Sequence, residues 1–176
     1  FIASKTMLRS AKGRWPKIRN SSDGPEGSTA VDDIRRTLSQ LFGDGKRAYP
    51  EGAYIDLFQI HNLTQIEEVE AIYEGLNDPD PKAARIGAWA GLLDFRDGTN
   101  RTGLNPRGEK LIRHLGITGH YSSPVLMECI QRDDLGILDT LLVAANANDR
   151  LHMSHQYNVV PVAAAKGMGI IGMKVF

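Results

Sequence analysis

The feature that most constrains this chain is the segment Tyr54-Ile55-Asp56-Leu57-Phe58-Gln59-Ile60-His61. It is apolar on both alternating faces for most of its length, and it stops at a histidine. A strand that buries both faces belongs to a parallel sheet covered by helices. Around it, short apolar runs alternate with stretches of helical periodicity. Residues 1–4 read as a strand ending at Lys5. Val31, Ile34, Leu38 and Leu41 fall at helical spacing after a start at Thr29-x-x-Asp32, and Gly43 stands where such a helix ends. Ile66, Val69, Ile72, Tyr73 and Leu76 form a second helical face. Residues 111–118 read as a third strand. Ser123-Pro124 then offers an N-cap, with proline at the first position of a helix reaching about Arg132. A strand over 138–146, a helix over 158–166 stopped by Gly167, and a strand over 168–175 complete the order. Strands alternating with helices specify a parallel sheet with right-handed crossovers, either open and doubly wound or closed as a (β/α)8 barrel.

Two stretches fall outside this alternation. Residues 5–19 carry Lys5, Arg9, Lys12, Arg14, Lys17 and Arg19 and read as a solvated basic helix face, with an anion site as the other reading. The polar run from Ser21 to Gly27 reads as a loop. Residues 77–108 open on the breaker Asn77-Asp78-Pro79-Asp80-Pro81. They hold a helical stretch near 83–95 and close on a loop over 97–108, too long for an ordinary connection. Insertions are therefore expected at about 20–28 and 77–108. Trp89 and Phe95, within the second, are expected on a surface helix, where they could cover a site or meet a partner.

The 176 residues suit one domain. With 21 basic and 21 acidic side chains the net charge is zero, which argues against nucleic-acid binding or membrane-surface association through bulk positive charge. The apolar run near the end is broken by Pro161, Lys166 and Lys174 and does not read as a membrane span. The sole cysteine, Cys129, excludes an internal disulfide and sits at an apolar helix position, where it reads as core. Because the first and last residues lie within apolar runs, the sequence is expected to be an interior part of a longer protein.

The strand ends carry the chemistry. They present Lys5, His61, Thr118 with His120 beyond it, Asn146 and Lys174. In (β/α)8 barrels the active site is built on the C-terminal rim of the strands. Each residue alone also has a plain reading: a structural histidine, a snorkelling lysine, an asparagine capping a turn. Together, a lysine that lowers the pKa of a neighbouring group or forms a Schiff base, and a neutral histidine that donates to a carbonyl oxygen, suit work on a carbonyl compound. Other motifs are weaker. Gly167-x-Gly169-x-x-Gly172 enters a strand instead of opening a helix, which is the wrong place for a phosphate loop. No G-x-S-x-G elbow is present. His152 and His155 have metal-compatible spacing but lack further paired ligands, so no metal is expected. The sequons at Asn20, Asn62 and Asn100 read as chance matches.

Phe1-Ile2-Ala3-Ser4-Lys5-Thr6, then Arg35-Arg36-Thr37-Leu38, then Tyr54 to Asn62 resemble the aldo-keto reductases. Residues 112–120 (I-R-H-L-G-I-T-G-H), 139–146 and 166–176 resemble that family's later strand segments, closest to a bacterial-type branch of predicted oxidoreductases. The resemblance spans most of the chain outside the two insertions. It implies an α/β (β/α)8 TIM barrel, of which this sequence holds about five βα units, the third to the seventh. It implies NAD(P)H-dependent reduction of aldehyde or ketone carbonyls by hydride transfer, on a small-molecule substrate, in the cytoplasm, with NADP(H) or NAD(H) as cofactor.

By the same resemblance, Lys5 and His61 take the catalytic lysine and histidine positions. Thr118, His120, Asn146, Met173 and Lys174 fall along the cofactor-binding segments. The family's proton-donor tyrosine and its catalytic aspartate belong upstream of Phe1, and the eighth strand and the adenosine-phosphate segment after Phe176. Gly119 stands where many members have asparagine, Leu142 where many have glutamine, His120 where an aromatic is common, and Met173 where a tyrosine stacks on nicotinamide. An aldo-keto-reductase-like binding or regulatory subunit, which keeps the fold and serves a partner without turnover, is the alternative. An unrelated barrel lyase using Lys5 as a Schiff-base former is a third.

Overall fold

The computed structural model describes residues 1–13, 28–149 and 154–176. The part of the expected basic helix face over 14–19 with Arg14, Lys17 and Arg19, the sequon at Asn20, the loop expected over 21–27, and His152 lie outside the described residues. Among the described residues, seven strands and five helices follow in the order β1 (Ala3–Thr6), β2 (Ser10–Lys12), α1 (Ala30–Phe42), β3 (Ile55–Ile60), α2 (Ile66–Tyr73), β4 (Ile86–Gly87), α3 (Ala88–Asp97), β5 (Ile112–Gly119), α4 (Ser123–Gln131), β6 (Thr140–Ala144), α5 (Val159–Ala165) and β7 (Gly169–Met173).

Five strands form one sheet in the order β1-β3-β5-β6-β7, every pair parallel. The sheet runs in sequence order with no reversal. Neighbouring helices touch as α1 on α3, α3 on α2, α2 on α4 and α4 on α5. Side chains of alternate strand positions enter the core beneath them: Phe58, Ile60, Leu115, Ile117, Leu141 and Val143 pack with Ile34, Leu38, Val69, Leu126 and Ile130. No helix among the described residues is long and apolar enough to cross a membrane.

The other face follows from the register. Lys5, Gln59, Gly116, Thr140 and Gly169 lie side by side in one row across all five strands. Gln59 Nε2 donates to Thr140 Oγ1 at 3.1 Å along that row. Lys5, Gly169 and Ile171 on this face are exposed. It is this face that carries His61 and His120 beyond its C-terminal edge, because each continues the alternation of its strand.

Several expectations hold at the level of local chemistry. Thr29 caps α1: its hydroxyl accepts from the Asp32 N–H, and the Asp32 carboxylate takes the Thr29 N–H in return. Val31, Ile34 and Leu38 are buried, but Leu41 is half exposed, because the helix turns its last apolar position away from the sheet. The cap of α4 falls one residue earlier than expected: Ser122 is the N-cap and Ser123 the first helical residue, with Pro124 still inside the first turn, where its missing N–H costs nothing.

Two expectations are overturned. Residues 5–13 are not a solvated basic helix: they form β1, a turn and β2, and Arg9 is buried in an ion pair with Glu68 at 2.8 Å. Lysines and an arginine are as many as the apolar residues there, yet Leu8, Arg9, Ser10 and Ala11 are all buried. Nor does the stretch around 83–95 form a surface helix. β4 pairs antiparallel with β2, and α3 leaves it directly with Trp89, Leu92 and Phe95 fully buried. Gly91 lets α3 lie close against β2, since a Cβ there would stand 2.3 Å from that of Ala11. Buried almost all round, α3 has no polar stripe from which its burial could be read.

Candidate active site

The C-terminal edge of the parallel sheet brings together Lys5, His61, Thr118, His120, Met173 and Lys174. His61 follows β3 and His120 follows β5, and the pairing of these strands sets the two imidazoles face to edge, with Nε2 to Nε2 at 3.3 Å. Met7 presents its Sδ to the other nitrogen of His61, Nδ1, at 2.7 Å. His120 Nδ1 is buried and meets no hydrogen-bond partner among the described residues. Lys5 is exposed on β1, and Lys174, in the left-handed region at φ +55°, sets its ammonium 5.9 Å from the Tyr121 ring. Tyr121 is itself exposed and 5.8 Å from His120.

These charges decide the state of the histidines. Burial pulls His61 down to about 4, and the positive charge of Lys5 and the neighbouring His120 and Arg9 pull the same way. Burial likewise lowers His120, aided by Lys174, Lys5 and His155. Both rings are neutral near pH 7, and a neutral imidazole can offer one N–H and one lone pair.

The turn that presents His61 is held from beneath. Arg9 donates to the carbonyls of His61 and Asn62 and, through Nε and its terminal nitrogen, to Glu68 Oε1. Glu68 Oε2 accepts the N–H groups of Thr64 and Gln65 and the Thr64 hydroxyl. Asn62 takes the left-handed conformation at φ +55°. Apart from the Arg9–Glu68 pair itself, the hydrogen bonds these two charges make end on residues 61–65. Sequence reasoning missed Arg9 and Glu68 as supports. The available signal was Gln65-x-x-Glu68 opening α2, which forms a capping box. Met7 and Tyr121 were missed as well, and neither has a sequence signal beyond its place next to the rim.

The remaining expected residues are placed less favourably for a ligand. Thr118 is buried, and its hydroxyl accepts the Asn62 N–H at 2.9 Å. Asn146 caps a turn, its Oδ1 taking the Asn148 N–H and its carbonyl the Gln156 side chain. Gly119 faces α4: a Cβ would fall 2.4 Å from the Leu126 side chain, so packing forbids a longer residue there. His155 is buried against Ser123, Nδ1 to Oγ at 2.9 Å, and Cys129 is buried with its thiol pushed up to about 12.

The donor set bears on what the rim could hold. Two lysines oppose a cation, and no group of three or more His, Cys, Asp or Glu lies together among the described residues. A carboxamide offers both a carbonyl oxygen and N–H donors. The partnerless nitrogen of His120 can accept such an N–H, so the residues present are compatible with nicotinamide. Met173, ending β7 in the register of Ala144, can supply an apolar surface for its ring. No protein-family model matches this sequence, and no curated protein matches it.

Proposed function

We propose that this chain forms the third to seventh βα units of a (β/α)8 barrel, and that its C-terminal rim serves NAD(P)H-dependent reduction of an aldehyde or ketone. The observation that carries the reading is the convergence of Lys5, His61, His120 and Lys174 on one rim of a sheet that winds in a single direction. A doubly wound sheet binds at the point where its strand order reverses. This sheet has no reversal, and strands that follow in sequence order, all parallel, are the arrangement a (β/α)8 barrel uses, which supports the reading.

The bound cofactor would supply hydride to the carbonyl carbon. The chain's own residues would do the rest. Lys174 and His120 would hold the cofactor's polar groups, with Met173 against its ring. The neutral histidines would orient the carbonyl oxygen without adding charge. Lys5 would stabilise negative charge developing on that oxygen and lower the pKa of a phenol donor. On this reading that phenol and its aspartate partner come from the upstream part of a longer protein, and the whole acts in the cytoplasm.

The test is NADPH and NADH oxidation by the intact protein with benzaldehyde, propionaldehyde and cyclohexanone. Turnover with any of them, lowered at least about 100-fold in both Lys5→Met and in a variant lacking the His61–His120 pair, supports the reading. Turnover that both changes leave intact overturns it.

One observation favours the second reading, a cofactor-binding or regulatory subunit without turnover. The Thr118 hydroxyl and Asn146 Oδ1 already have partners within the chain, and Gly119 has no side chain to offer. Cofactor binding without turnover of any of the three carbonyls would select it.

A further inference from the structure

We infer that at this rim the nitrogen-bound hydrogen offered to a ligand's carbonyl oxygen belongs to His120, at Nε2, and that His61 serves to hold it. The inference rests on the reading of the rim as a carbonyl site, and it departs from the role that the resemblance gives His61.

A neutral imidazole has one N–H and one lone pair. His120 Nδ1 is buried without a partner, and a stranded N–H costs more there than a stranded lone pair, so this ring carries its hydrogen at Nε2. The nitrogen that faces it at 3.3 Å is His61 Nε2, and the contact is attractive only if that nitrogen is a lone pair. His61 then carries its own hydrogen at Nδ1, the nitrogen beside Met7 Sδ.

Lys5 on β1 opposes a second proton on either ring, Arg9 from the following turn opposes one on His61, and Lys174 after β7 and His155 ahead of α5 oppose one on His120.

The geometry suits sharing. At 3.3 Å the bond between the histidines is long for a nitrogen pair, so the hydrogen is loosely held. A carbonyl oxygen entering from the open side can take a share of it, while His61 Nε2 has none to give.

The experiment is a two-bond proton–nitrogen correlation spectrum of the intact protein, labelled with nitrogen-15, at pH 7. His61→Gln and His120→Gln variants assign the signals. The expected result is a hydrogen on His61 Nδ1 and His120 Nε2, with His61 Nε2 and His120 Nδ1 bare. His120→Phe, which removes the hydrogen facing His61 Nε2, is expected to shift His61 toward the Nε2-protonated form, a change that loss of packing alone would not produce. A hydrogen on His61 Nε2 in the unaltered protein overturns the inference. With the carbonyls named above, His120→Phe is expected to lower kcat about 100-fold, and more than His61→Phe does. The reverse order overturns the assigned donor even if the spectrum agrees. An absence of turnover with all three carbonyls counts against the carbonyl reading, while the spectrum still decides which histidine carries the hydrogen.

Discussion

At the scale of residues, the pair Arg9–Glu68 shows how a charge can be structural. Both side chains are almost fully buried, and burial lowers the Arg9 pKa despite the nearby carboxylate. Removing one partner strands the other charge in the interior. Glu68→Leu is therefore expected to cost about 3–5 kcal/mol in urea unfolding, and Arg9→Met in the same chain to restore most of it, because a matched apolar pair avoids the uncompensated charge. Losses that simply add would show that the two are not coupled. His61 gives a pH signature of known sign. Its folded pKa of about 4 lies below the ordinary value of 6.5, so the unfolded chain binds more protons between these values. His61 therefore contributes stability that is present above pH 6.5 and lost as pH falls toward 4. In Lys5→Met the His61 titration, followed by NMR, is expected to move upward, because a like charge has been removed.

At the scale of elements, glycines report where strands and helices touch. A Cβ at Gly116 would stand 2.2 Å from Thr140 Oγ1 and 2.7 Å from the Thr140 carbonyl. Gly116→Ala should thus pry β5 from β6 and cost about 1–3 kcal/mol, read by urea denaturation. A neutral effect would mean that the row Gln59, Gly116, Thr140 is looser than described. Elements with a period were legible in the sequence: β3 from Ile55 to Ile60, α1 with its Thr29–Asp32 box, and β5 and β6 all lie within a few residues of where the pattern placed them. Elements without one were not. β2 and β4 are three and two residues long, too short to alternate, and pair only through the fold. α3 is buried almost all round, so its Trp89 and Phe95 carry no direction in the sequence. The rim was legible in part, because a polar residue ending an apolar strand stands out. Arg9 was not, since nothing in a run of basic residues says which one finds a buried carboxylate 59 positions away.

At the scale of the whole molecule, parallel pairing throughout brings five strand C-terminal ends to a single edge, and the sequential order sets successive ends side by side along it. The edge collects Lys5, Lys174 and two neutral histidines in a chain whose net charge is zero. That local excess of positive charge favours a ligand carrying phosphates or a developing oxyanion. The most direct test is calorimetric titration of the intact protein with NADPH and NADH. The account predicts saturable binding of at least one cofactor with micromolar Kd, weakened at least about tenfold in Lys174→Met and by added salt, as a charged contact requires. No binding of either cofactor by the folded protein would contradict it.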